Sequence, residues 1–219
     1  MKILITGSAR GIGRAAALRF LEAGHEVAGI DVLPASIDHA AYTHYQADVR
    51  ERAALPDIAG VEILFVNAGR QNSGDDIGHD LVGAMNVTEK YIADNAVLRS
   101  VLFNASASSV NGQEFPEYAA AKAGLVGYMK NTAIRLAPRQ IPVNAISRGG
   151  VTTASNAPVM EDPSLWARIM DVTPMKKWMS EDEVCDWVLF LTLTNRSMSG
   201  QNILIDNGEN DLNDRFVWP

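Results

Sequence analysis

Cys185 is the only cysteine in this 219-residue chain. A lone cysteine excludes an internal disulfide. It sits in an apolar stretch of helical period, which predicts a buried, inert thiol rather than a nucleophile. No apolar run approaches the ~20 residues needed to cross a bilayer. Met1 and Lys2 lead directly into a strand pattern, which predicts no leader segment and a cytoplasmic protein. Positive charge is also scarce: 19 Lys and Arg stand against 26 Asp and Glu, a formal net charge of −7. An acidic chain without a basic cluster is a poor partner for nucleic acid or an anionic membrane. The four histidines show no metal-ligand spacing, so no metal is expected. His39 and His44 fall in a polar stretch and read as solvated. There is no internal repeat and no low-complexity segment.

What is present is an ordinary globular composition, 47% apolar and 21% charged. The length fits one domain over residues 1–219. Strand patterns fall at 2–6, 27–31, 43–49, 61–67, 100–106, 142–147 and 201–206. Helical periods fall between most of them: Ile12–Ala23, Asp80–Ala93, Pro116–Leu136 and Glu181–Leu193. Gly24 closes the first helix as a C-terminal cap glycine. Several strands are continuous apolar runs, as strands covered on both faces are. Strand–helix alternation then predicts an α/β fold: a Rossmann-like, doubly wound parallel sheet of about seven strands, helices on both faces.

Between the first strand and first helix stands TGSARGIG, Thr6 to Gly13. Gly7 permits a tight turn, Gly11 clears space for a pyrophosphate, and Gly13 lets the helix lie close to the sheet. The helix that follows offers free N–H groups and the positive end of its dipole. Asp31, 18 residues after Gly13, ends the second strand. A carboxylate there accepts both ribose hydroxyls of NAD and repels a 2′-phosphate, so NAD is expected over NADP. Arg10 beside it is a cation that works against that preference.

Tyr118 and Lys122 form YAAAK in a helical run and share one helix face at i and i+4. An ammonium stabilises a neighbouring phenolate. A phenolate takes a hydroxyl proton and a phenol returns one.

These pieces occur in a fixed order: TGSARGIG, Asp48–Val49, Asn67-Ala68-Gly69, a Ser-rich strand end, YAAAKAGL and GQNILIDNG. Over residues 2–208 the chain resembles the compact enzymes of the short-chain dehydrogenase/reductase (SDR) family. The resemblance implies an NAD(H)-dependent oxidoreductase interconverting a secondary alcohol and a ketone by hydride transfer. Tyr118 is then the general acid/base and Lys122 its partner, with hydrogen bonds to the nicotinamide ribose. The glycine-rich turn, with Ala9, Arg10 and Ile12 beside its glycines, holds the cofactor. Asp48 and Val49 flank the adenine. Asn67, Ala68 and Gly69 stabilise the sheet and border the adenine ribose. Val151 offers its backbone to the carboxamide, and Thr153 lies by the phosphates.

The chain also departs from the family pattern. NASASS offers Ser106, Ser108 and Ser109 for the serine that holds the substrate oxygen. Ser106, 12 residues before Tyr118, is the choice and Ser108 the alternative. The family's Asn-Leu-x-Gly-x-x-Asn-Val reads Asp80-Leu81-Val82-Gly83-Ala84-Met85-Asn86-Val87 here. Asp80 therefore takes the place of the relay asparagine, while Asn86 matches the structural one. Arg148-Gly149 replaces Pro-Gly after the sixth strand and sets a guanidinium near the substrate mouth, facing either an acidic substrate or solvent. The stretches between Asp31 and Asp48, and between Gly69 and Asp80, are short.

Residues 154–180 carry Met160, Trp166, Met170, Met175, Trp178 and Met179 and read as a lid for an apolar or cyclic alcohol, or as core. Residues 209–219 read as a tail. SDR-like proteins pair through the helices at 80–93 and 116–136, which implies a homodimer or homotetramer. The competing reading is a non-catalytic NAD(H)-binding protein whose active site has drifted.

Overall fold

The computed structural model describes residues 1–212, so residues 213–219 of the expected tail lie outside the described residues. Strand β1 (Lys2–Thr6) leads through the glycine-rich turn into helix α1 (Gly11–Glu22). Then come β2 (Glu26–Asp31), β3 (Tyr42–Gln46), β4 (Ile63–Val66), α2 (Gly83–Ile92), β5 (Ser100–Asn104) and the single turn α3 (Ser108–Asn111). The long helix α4 (Pro116–Leu136) precedes β6 (Val143–Arg148). Helices α5 (Ala157–Met160), α6 (Pro163–Val172) and α7 (Glu181–Leu189) and strand β7 (Asn202–Ile205) complete the order.

The seven strands form one sheet in the order β3-β2-β1-β4-β5-β6-β7, parallel at every pairing. Side chains alternate across it with period two. Leu4, Leu64, Val101 and Phe103 point to one face, against Val87 of α2 and Leu125 and Met129 of α4. Ile3, Ile5, Phe65 and Leu102 point to the other, against Phe20 of α1 and Val184 and Val188 of α7. The central strands are buried on both faces, which explains their unbroken apolar sequence. Cys185 lies inside the second layer, where burial pushes its thiol up to about 12.

Gly24 (φ +78°) ends α1 in a Schellman arrangement. Its N–H reaches the Leu21 carbonyl at 2.9 Å, and that of His25 reaches Phe20 at 3.0 Å. Two of the sequence helices split. The pattern at 80–93 begins as a wide π-type turn, Ile77–Val82, and only then becomes α2. The pattern at 181–193 ends as another, Phe190–Thr194. The short stretch after Asp31 crosses from β2 to β3 with no helix, and only the 3-10 turn Arg52–Ala54 interrupts the next connection. His44 is half-buried rather than solvated: its ring nitrogens meet the Tyr42 hydroxyl at 3.0 Å and the Leu33 carbonyl at 2.9 Å.

Residues 154–180 fold back on the end of β6. The Thr152 N–H donates to the Met179 carbonyl at 2.8 Å, and the Met179 N–H to Gly150 at 3.1 Å. Trp166 and Trp178 meet edge to face with centroids 5.0 Å apart. Trp178 fills the space a side chain at Gly150 would need.

Candidate active site

A cavity of about 680 Å³ opens along the carboxyl ends of the strands. That is where doubly wound sheets hold ligands, and the volume lies in the usual range for cofactor and substrate sites. At one end lie Gly7, Arg10, Gly11, Ile12, Asp31, Asp48 and Val49. Asn67, Ala68 and Gly69 line its middle, and Asp80, Tyr118, Lys122, Arg148 and Thr153 also stand on its wall.

The glycine-rich end is built from backbone constraints. Gly7 (φ +70°) and Gly11 (φ +58°) occupy left-handed conformations that other residues adopt only with strain. A Cβ on Gly13 would sit 2.1 Å from the Gly7 carbonyl oxygen, so Gly13 serves packing and is not on the cavity wall. No side chain caps α1 and no acid stands in its first turn, which leaves its N-terminal N–H groups for an anion. Asp31 is held rigidly: its Oδ2 accepts from the Ala9 N–H at 2.9 Å and its Oδ1 from Leu33 at 3.0 Å. Ala9 thus orients Asp31 and stays off the cavity wall. Asp48 accepts the Arg50 guanidinium at 2.7 Å, and hydrogen bonds from Arg50 hold its carboxyl below the usual range.

A network of amides joins the two ends. Thr6 Oγ1 accepts the Asn67 and Ala68 N–H groups, both at 2.9 Å. Asn67 Nδ2 donates to the Thr6 carbonyl at 2.9 Å, and its Oδ1 accepts from Asn104 at 2.8 Å. The Asn104 carbonyl accepts from Lys122 Nζ at 3.0 Å. Asn86 ties the β3–β4 connection to α2 by donating to the Val49 and Arg50 carbonyls at 3.1 and 3.0 Å.

Tyr118 and Lys122 project from one face of α4, both 3% exposed. The ammonium stands 5.5 Å from the Tyr118 ring centroid. The wide turn Ile77–Val82 places Asp80 against it, with Oδ1 2.7 Å from Lys122 Nζ. Asp80 Oδ2 accepts the Arg70 N–H at 3.1 Å. A side chain at Gly69 would collide with Asp80 at 2.2 Å, so the glycine makes room for this ion pair.

The serines lie elsewhere. Ser106 and Ser108 are buried, off the cavity wall, with hydroxyls 3.0 Å apart. Ser108 donates onward to Glu114 Oε2 at 2.5 Å, and Ser109 faces Ser147 at 3.0 Å. Val151 is core, and its carbonyl is occupied by Thr153 N–H and Asn156 Nδ2, both at 2.8 Å. The cavity also takes in Arg70, Gln71, Ser73, His79, Ser155 and Asn156, none of them singled out from sequence. They sit in loops and irregular turns without a periodic signature; for Arg70, its place directly after Asn67-Ala68-Gly69 was the available signal. Among the described residues, no group of three His, Cys, Asp or Glu is placed to hold a metal, and no helix is long and apolar enough to cross a membrane.

A parallel sheet of this order, with a glycine-rich turn and a Tyr/Lys helix on one cavity, defines the class as a doubly wound, Rossmann-like oxidoreductase. The family model described as "Enoyl-(Acyl carrier protein) reductase" matches residues 79–210. The chain is 28% identical to glucose 1-dehydrogenase of Gluconobacter oxydans, over 94% of this chain and 91% of that protein. It superposes with a TM-score of 0.86 on a short-chain dehydrogenase/reductase from Burkholderia thailandensis, at 27% identity, covering 95% of this chain and 92% of that one. It shares the fold of 4-hydroxyisoleucine dehydrogenase, solved with NADH, at a TM-score of 0.88 and 21% identity over 97% and 99% of the two chains. Another neighbour of the fold, ElxO, was solved with NADP (TM-score 0.86, 20% identity, 95% and 98% covered). The chain belongs to the short-chain dehydrogenase/reductase family.

Proposed function

We propose that this chain is an NAD(H)-dependent oxidoreductase that interconverts a secondary alcohol and a ketone. One observation carries this reading: the glycine-rich turn, Asp31, Tyr118 and Lys122 line a single continuous cavity. The residues fit a dinucleotide. The uncapped start of α1 and the cleared surface of Gly7 and Gly11 suit a pyrophosphate. Asp31 lines the cavity with one hydrogen bond accepted on each oxygen, so each can accept another, and it meets the ribose hydroxyls, with Asp48, Val49, Asn67, Ala68 and Gly69 around the adenosine. Thr153 lies toward the phosphates. Bound NAD supplies the hydride acceptor.

The remaining chemistry belongs to side chains. Tyr118 takes the hydroxyl proton during oxidation and returns it during reduction. Lys122 holds the nicotinamide ribose beside it. Asp80 fixes Lys122 in place of the family's asparagine. Residues 154–180 cover the substrate, and copies of the chain pair through α2 and α4 as a dimer or tetramer, which sedimentation equilibrium reads directly. On α4 the small residues Ala120, Ala123 and Gly127 are exposed, which suits close helix approach.

Tyr118→Phe tests the chemistry. Turnover falls by at least ~100-fold, while NADH affinity by fluorescence titration stays within roughly threefold of wild type. Equal turnover by the variant would remove Tyr118 from the mechanism. The recessed position of Ser106 favours a second reading, a cofactor-binding protein without turnover. NADH binding with no oxidation across a broad alcohol panel would select it.

A further inference from the structure

We propose that Arg148 binds the carboxylate of the substrate, so that the alcohol oxidised is a hydroxy acid. The proposal rests on the dinucleotide reading of the cavity.

The charges on the cavity wall pair off unevenly. Asp48 is taken by Arg50 and Asp80 by Lys122, while Asp31 is held by backbone N–H groups. Arg148 has no carboxylate within 4.0 Å among the described residues. Its Nη1 makes one 3.4 Å contact, with the carbonyl of its own neighbour Gly149. Its Nε is shielded from solvent and has no hydrogen-bond partner among the described residues. A shielded guanidinium N–H without a partner is unfavourable, and a planar fork of donors matches a carboxylate.

The position suits a substrate group. Arg148 ends β6, and its carbonyl accepts the Ala107 N–H at 2.8 Å, which sets it beside the serine turn at the end of β5. Tyr118 stands on the same cavity wall. Two acids lie beside Gly149 and a third, Glu114, accepts from Ser108 at 2.5 Å; all three are already engaged. Asp206 accepts from Gly208 N–H at 3.0 Å and from Asn210 N–H and Nδ2 at 2.9 and 2.6 Å. Glu209 accepts from the Thr173 hydroxyl at 2.9 Å, and burial pushes its carboxyl up, away from the charged form. Arg10 and Arg70 on the same wall also lack a carboxylate, but Arg148 is the one whose guanidinium N–H is shielded and without a partner among the described residues. In the reaction the carbinol carbon gives up a hydride to the nicotinamide and its hydroxyl a proton to Tyr118. The C–O bond becomes a carbonyl, and the carboxylate on Arg148 is unchanged.

The test is calorimetric binding to the protein–NADH complex, where an alcohol cannot turn over. The probes are 2-hydroxy and 3-hydroxy acids of four to six carbons, each with its neutral amide. The expected result is at least one acid binding ~10-fold or more tighter than its amide. Arg148→Met removes that preference while NADH affinity holds, and Arg148→Lys, which keeps the charge and loses the fork, retains part of it. Wild type binding acids and amides equally, or binding none of them, overturns the proposal and leaves the cofactor reading standing. A parallel loss of NADH affinity in Arg148→Met assigns the guanidinium to the cofactor phosphates and also overturns it. Absence of NADH binding in wild type overturns both readings.

Discussion

Asp80 and Lys122 form a buried ion pair where the family pattern has a neutral side chain, and the pair changes what each residue is for. Lys122 donates to the Asn104 carbonyl at 3.0 Å and is ion-paired with Asp80 at 2.7 Å. Taking two charges out of water is costly, and removing one partner leaves the other unpaired. Asp80→Ala is therefore expected to destabilise the protein by about 3–5 kcal/mol. Asp80→Asn keeps an acceptor for Lys122 and costs less. Urea denaturation measures both. A loss below about 1 kcal/mol for Asp80→Ala would place the pair in the class of exposed ion pairs. The substitution was visible in the sequence as a departure at one motif position. Its consequence was not, because only the wide turn Ile77–Val82 brings Asp80 onto Lys122.

At the scale of elements, α2 and α4 are joined by a second set of polar contacts far from the cavity. Glu89 of α2 accepts both Arg135 nitrogens, at 2.6 and 2.8 Å, and the Tyr128 hydroxyl at 2.6 Å. Hydrogen bonds from Arg135, with help from Tyr128, bring the Glu89 carboxyl down to about 2. A group depressed in the folded state adds stability above its unfolded value of about 4.3. That contribution is lost as pH falls toward about 2. Thermal melts should show wild type more stable than Glu89→Gln at neutral pH, with the gap closing between about pH 4.5 and pH 2. A gap independent of pH would show that the contacts act through packing alone. The helices and strands themselves were largely legible. Pro116–Leu136 has the bounds its periodicity predicts, and the central strands were visible as apolar runs. What periodicity cannot show is a π-type turn, which keeps helical composition while changing which side chains face inward. Nor could it resolve Ser106 from Ser108, because both follow β5 within one turn and hydrogen-bond to each other.

At the scale of the whole molecule, an acidic chain keeps a cavity whose glycine-rich end is formed by a backbone turn and an uncapped helix start, features that suit an anion. The absence of a crossover helix between β2 and β3 leaves irregular chain next to Asp31. On the proposed function, cofactor choice falls to two residues of this wall, Asp31 and the exposed Arg10. Both were read from sequence, because a motif flanked by a strand and a helix fixes where its residues must stand. The loops that shape the substrate end carry no such frame.

The most direct test is fluorescence titration of the protein with NADH and, separately, with NADPH. Saturable NADH binding with much weaker NADPH binding is the predicted result, because Asp31 is held by two backbone N–H groups where a 2′-phosphate would sit. NADPH binding as tightly as NADH would contradict the role given to Asp31. Binding of neither would reduce the glycine-rich turn to a packing device and contradict the account at its centre.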